Sequence, residues 1–210
     1  MEWYQWLVIA CLAIDIAGLI FHLIRLIRLG KPKDFSSQRG NIYPSLIYAF
    51  TGAMSPSKKE SAFLHLPTYT AGIFYHLGTF VSIFLFFFIL FQIRILDFFV
   101  PYLTGFMAIS ILSGLAILIK RIVSQKLRAL SNPDDYISNL LVTIFQIITA
   151  AVLHKPEWFT SYYIIVSVLL LYIPVGKLKH AVYFFAARYH LGYFYGWRGV
   201  WPPKKVGSEK

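Results

Sequence analysis

Cysteine is almost missing from the 210 residues, which hold a single one, Cys11. That excludes a disulfide framework, a four-thiolate iron-sulfur cluster, a thiolate zinc site and the C-x-x-C-H attachment of c-type heme. Acidic residues are scarce as well, 9 against 20 Lys and Arg, for a formal net charge of +11. Charged residues of both signs make up only 14% of the chain, while 58% is hydrophobic, and the mean hydropathy is +0.62. This balance excludes a soluble globule. No nucleophile with a base and an orienting partner is visible, no phosphate-cradling glycine loop, and no carboxylate pair inside an apolar run, where Asp15 stands alone. No repeat or low-complexity linker breaks the chain. The start Met1-Glu2-Trp3 lacks a basic stretch and a small-residue cleavage site, so the first apolar run reads as a retained anchor.

What is present is a series of long apolar runs. They predict spans from about Trp3 to Leu29, from Pro67 to Ile93, from Phe98 to Ile119, from Tyr136 to Leu153, and from Phe159 to about Tyr189. The expected fold is all-α: an integral membrane bundle of five transmembrane helices, multi-pass in the inner (plasma) membrane. Short loops make sequential helices antiparallel neighbours. Residues 1–192 form the membrane domain, with a cytoplasmic interfacial loop over 31–66. Within that loop Asn41 to Met54 reads as a short amphipathic piece against the headgroups. Residues 193–210 form a cytoplasmic aromatic and basic tail, an interfacial belt or a docking surface for a soluble subunit.

Charge sets the expected orientation. One side carries Arg25, Arg28, Lys31, Lys33, Arg39, Lys58, Lys59, Lys120, Arg121, Lys126 and Arg128, and seven more basic residues from Lys177 onward, 18 of the 20. Arg94 and Lys155 alone fall on the other. The positive-inside rule therefore places the N-terminus outside and the C-terminus in the cytoplasm. The basic excess is topological, with attraction to anionic lipid or an acidic partner, and does not call for nucleic acid.

Ionisable groups inside a span are costly, which makes six histidines the place to look for chemistry. Counting by helical rise, His76 lies about 14 Å above Pro67 and His180 about 14 Å above Tyr189, so the two are expected at one depth on facing helices. Such a pair suits axial ligation of a b-type heme, with Gly72, Gly78 and Gly176 giving the macrocycle room. A single histidine would more often be bonded to a helix carbonyl or water. His65 and His190 offer a second pair nearer the cytoplasm, although Pro67 disfavours a helical His65, and a spacing of 10 turns His190 about 80° from the face of His180. His22 could meet a heme propionate or a quinone, or simply snorkel. Lys177, Lys179 and Arg188 are candidate propionate partners. His154, beside Lys155 and Pro156, reads as an outer loop residue that could border a quinone pocket.

Phe74-Tyr75-His76-Leu77-Gly78 and Pro174-Val175-Gly176-Lys177-Leu178-Lys179-His180 resemble the heme motifs of the second and fifth helices of the respiratory nitrate reductase gamma subunit family. The resemblance covers most of the membrane domain and implies that His76 and His180 ligate the heme nearer the cytoplasm. It departs at the outer ligands. Ten residues after His76 and 18 before His180 stand Phe86 and Tyr162. His65, His190 and the tail Arg188 to Pro203 look more like the gamma-like cytochromes in transmembrane redox complexes of sulfate-reducing bacteria. That resemblance implies an electron-transfer subunit rather than a catalytic one. Electrons would pass between menaquinone, or a periplasmic cytochrome reached through other membrane subunits, and a cytoplasmic iron-sulfur subunit similar to heterodisulfide reductase. Two other classes remain open: a small transporter or channel subunit in which histidines relay protons, and an assembly subunit without cofactor.

Overall fold

The computed structural model describes residues 2–30, 35–55 and 65–203. Among them no strand occurs. The helices are α1 (Trp3–Leu29), α2 (Ile42–Phe50), α3 (Leu66–Leu90), α4 (Val100–Val123), α5 (Gln125–Ala129), α6 (Pro133–His154), α7 (Phe159–Tyr172) and α8 (His180–Trp197). Single 3-10 turns at Gly52–Met54, Asp97–Phe99, Pro156–Trp158 and Lys177–Lys179 join or extend them. Lys31, Lys33, Lys58, Lys59, Lys204, Lys205 and Lys210, counted in the charge argument, lie outside the described residues.

Four helical stretches are long and apolar enough to cross a membrane: Trp3–Leu29, Leu66–Leu90, Asp97–Val123 and Pro133–His154. A fifth exists if Pro156–Tyr172 and Lys177–Trp197 are taken as one broken span. The unbroken helix expected from Phe159 to Tyr189 is therefore corrected. Pro174 has no N–H to continue the ladder. Gly176 N–H turns back to the Tyr172 carbonyl at 2.7 Å, and a Cβ at Gly176 would overlap the Tyr172 ring. At 14 residues α7 is about 21 Å long, short of a hydrocarbon core of roughly 30 Å.

The chain divides into two compact units, Met1–Ala17 with His65–Leu178, and Gly18–Leu64 with Lys179–Lys210. In the first, α3, α4, α6 and α7 pack as neighbours, and the first half of α1 adds Val8 and Cys11 to a core of Phe86, Leu90, Phe145, Tyr162, Tyr163 and Val166. Sequence punctuates these helices. Pro67 and Pro101 occupy first-turn positions, where a missing N–H costs nothing. Asn132 and Asp135 form a reciprocal capping box at the start of α6. Lys120 and Arg121 sit in the last turn of α4, where cations offset the helix dipole. Lys120 Nζ donates to Thr68 Oγ1, which brings the end of α4 to the start of α3 and makes the two antiparallel.

In the second unit α2 lies along α8. Ser45 is fully buried and donates to the Gly192 carbonyl at 2.7 Å. A Cβ on Gly192 or Gly196 would come within 2.9 Å of the Leu46 or Ile42 Cα, so this Gly-x-x-x-Gly face permits backbone-to-backbone packing. Helix α8 runs straight through residue 193, where the sequence suggests a separate tail, because Tyr193 to Trp197 continue the face that receives α2.

Candidate functional site

Helix α3 has two unlike faces. Gly78, Ser82, Leu85, Phe86 and Leu90 are buried, whereas Ile73, His76, Leu77, Phe80, Ile83 and Phe84 are exposed. His76 is thus an imidazole in an otherwise apolar outward stripe. One turn earlier, Gly72 has nothing within 4 Å of the position a Cβ would take. The surface beside the His76 ring is therefore open on that side. His65, the N-cap of α3 with φ −136° and ψ 46°, is exposed and non-helical, as Pro67 suggests.

The second unit holds His22, His180, Arg188 and His190. His180 is the first residue of α8 and is exposed. The His22 ring meets Tyr183 edge-on at 6.3 Å, and Arg188 lies over the Phe184 ring at 5.6 Å. His190 Nε2 is 3.3 Å from the Leu26 carbonyl, and its ring fills the place a Cβ on Gly30 would need. That contact occupies Nε2 and leaves metal binding at His190 to Nδ1.

His76 and His180 fall in different units. A shared depth for His76 and His180 requires a continuous fifth helix ending near Tyr189, which the chain does not form. Lys177 pairs with Asp135 in the first turn of α6, and Arg121 Nη1 lies 3.5 Å from the same carboxylate. The descent from Phe159 therefore reaches the basic end of the first unit at Lys177, and α8 continues past Tyr189 to Trp197. Lys177, expected beside a propionate, is engaged with Asp135, while Tyr172 donates to the Asp134 carboxylate next to it.

The sequence reading missed a polar seam inside the first unit. Ser110 Oγ donates to Gln146 Oε1 at 2.8 Å, and Gln146 Nε2 donates to Thr79 Oγ1 at 2.9 Å and to the Tyr75 carbonyl at 3.3 Å. The Tyr75 hydroxyl donates to the Asn139 carbonyl at 2.9 Å and lies 3.0 Å from Thr143 Oγ1. Ser110 and Gln146 are fully buried. The seam ties α3, α4 and α6 together around the residue that precedes His76. Its signal in the sequence was a glutamine inside the fourth span and the spacings Gly78-x-x-x-Ser82 and Ser110-x-x-x-Gly114.

Two further features belong to this unit. Asp15 is buried, and among the described residues its Oδ1 has no hydrogen-bond partner. At the end opposite Asp135, a cavity of about 340 Å³ is lined by Tyr4, Phe159 and Tyr163 with Glu2, Gln5 and Gln92. The Tyr4 and Tyr163 rings stack at 5.3 Å, and Phe159 continues the stack at 6.4 Å. Gln92 adopts φ +55°, uncommon for a residue with a side chain. His154 lies elsewhere on that end, its Nε2 2.9 Å from Thr104 Oγ1. Among the described residues no group of three or more His, Cys, Asp or Glu could hold a metal ion.

Fold and site together define an all-helical protein with four, or up to five, candidate membrane-crossing helices and an imidazole on the apolar face of one of them. Comparison of the chain with protein-family models, with curated proteins and with solved structures gave no match.

Proposed function

We propose that the chain is a membrane-anchored b-type cytochrome subunit of a respiratory redox complex, with its N-terminus outside and its C-terminus in the cytoplasm. The observation that carries this reading is His76, exposed on an apolar helix face beside the open space at Gly72. An ionisable ring on an apolar span is the default place to look for function, and a heme would use it as a ligand. His76 is the candidate axial ligand in the first unit; in the second unit His180 is a candidate ligand, and Arg188 and His22 are candidate propionate partners. Lys177 ranks behind them because Asp135 already holds it. When bound, heme b supplies one-electron transfer at its iron.

A single heme is favoured over two. Phe86 and Tyr162, which stand where the nitrate reductase pattern has its outer ligands, are packed into the core, and His190 Nε2 is engaged with Leu26. The cavity beside Tyr4, Phe159 and Tyr163 is of a size and character to receive a menaquinone ring. Stacked aromatics would cover the ring face, and the amides of Gln5 and Gln92 would meet its carbonyl oxygens. The basic tail and α8 would face a cytoplasmic iron-sulfur subunit, with other membrane and periplasmic cytochrome subunits completing the complex.

The test is the reduced-minus-oxidised absorption spectrum of the purified protein. Expected are b-type bands that disappear in His76→Ala and in His180→Ala and persist in His154→Ala. Full heme in both of the first two variants would refute the ligand assignment. A second reading, a proton-handling bundle, draws on the orphaned oxygen of buried Asp15. A correctly folded but colourless preparation favours it over the cytochrome.

A further inference from the structure

Away from the residues weighed for heme, the second unit holds a cavity of about 390 Å³ lined by Ser36, Ser37, Arg39 and Arg198. All four side chains can donate hydrogen bonds, two carry permanent positive charge, and among the described residues no acid lines it.

The walls are held in place. Arg39 N–H donates to the Trp197 carbonyl at 2.8 Å, and the Trp197 indole donates to the Ser36 carbonyl at 2.9 Å. These bonds fasten the segment carrying Ser36, Ser37 and Arg39 to the end of α8. A Cβ on Gly40 would overlap the Gly199 backbone, so the two chain segments touch there without intervening side chains. Gly199, at φ +68°, lets the chain turn directly after Arg198. The Arg198 guanidinium stacks on Phe194, its central carbon 3.7 Å from the ring centroid, and Nη1 donates to the Phe194 carbonyl at 3.2 Å. One of the two cationic groups is thus oriented before any ligand arrives, which lowers the entropy lost on binding.

Two guanidinium groups and two hydroxyls around one cavity make a donor set for a tetrahedral oxyanion. Guanidinium pairs with phosphate oxygens through two parallel bonds, and serine hydroxyls turn to meet the others. A planar carboxylate would use one arginine and leave the second unmatched. We propose that this cavity binds a phosphate group, and that the phosphate belongs to the headgroup of an anionic phospholipid. Helices apolar enough to cross a membrane keep the chain where such headgroups are abundant, and basic pockets beside membrane helices are where they bind.

The test is native mass spectrometry of the full chain in detergent, with phosphatidylglycerol, diacylglycerol or inorganic phosphate added in separate arms. Expected is retention of phosphatidylglycerol, none of diacylglycerol, and weakening by roughly tenfold or more in the double variant Arg39→Gln/Arg198→Gln. Arg94→Gln, in the other unit, should bind like the wild type. Since Arg198 also packs on Phe194, Arg39→Gln alone serves as the second variant; Arg39 is tied to α8 through its backbone N–H, which the substitution keeps. Inorganic phosphate that binds and is lost in the variants, with phosphatidylglycerol failing to bind, overturns the lipid source. Phosphatidylglycerol binding that both variants leave unchanged, or binding of neither phosphate compound, overturns the site.

Discussion

Single side chains at the ends and in the middle of helices decide much of this molecule. Asp135 is the clearest case. One carboxylate caps α6 by accepting from Asn132 N–H, pairs with Lys177 and lies 3.5 Å from Arg121. It is nearly buried, whereas Lys177 is about half exposed, with a side-chain exposure of 48%. Asp135→Asn would keep the shape and remove the charge, leaving two cations at one helix start without their counter-ion. We expect a loss of about 1–3 kcal/mol, nearer the lower figure because water screens Lys177. Thermal unfolding in detergent measures it, and an unchanged midpoint would mean that the cluster is electrostatically idle. His76 poses the opposite problem, a polar ring facing outward. Its residue type was legible in the sequence, because an ionisable group inside an apolar run stands out. Its relation to His180 was not, because that depended on a helix being continuous.

At the scale of elements, small residues set how closely helices approach. Gly78 of α3 faces Ser110 of α4, and a Cβ at Gly78 would overlap the serine Cβ and Oγ. Gly78→Ala should therefore push α3 and α4 apart and cost about 1–3 kcal/mol. Combining Gly78→Ala with Ser110→Gly restores the volume and should recover part of the loss, though not the share owed to the Ser110–Gln146 bond. Thermal midpoints of the three variants check this, and a double variant no better than Gly78→Ala would show that the contact is not the cause. The apolar runs made four spans legible to within a few residues, since length and hydropathy suffice for that. The fifth misled because hydropathy carries straight across Pro174 and Gly176, and only their backbone chemistry interrupts the helix. The pairing of α2 with α8 was equally hidden. Gly192 and Gly196 signal a close approach but do not name the partner.

At the scale of the whole molecule, the basic residues make a forecast about sidedness. Arg94 and Lys155 should face outward, while Arg128 should face the cytoplasm. In intact cells, a membrane-impermeant maleimide should label Arg94→Cys and leave Arg128→Cys untouched until the membrane is opened. The reverse pattern would invert the topology and move the proposed iron-sulfur partner to the wrong side. The side chain of Arg94 is 83% exposed, so poor access would not explain a failure there. Such an experiment needs no prior editing of the chain, because Cys11 sits in the core at 4% exposure. The same inert thiol opens a further use. Nitroxide labels placed in pairs, one in each compact unit, would report their separation by dipolar spectroscopy against a wild-type background that takes up little label.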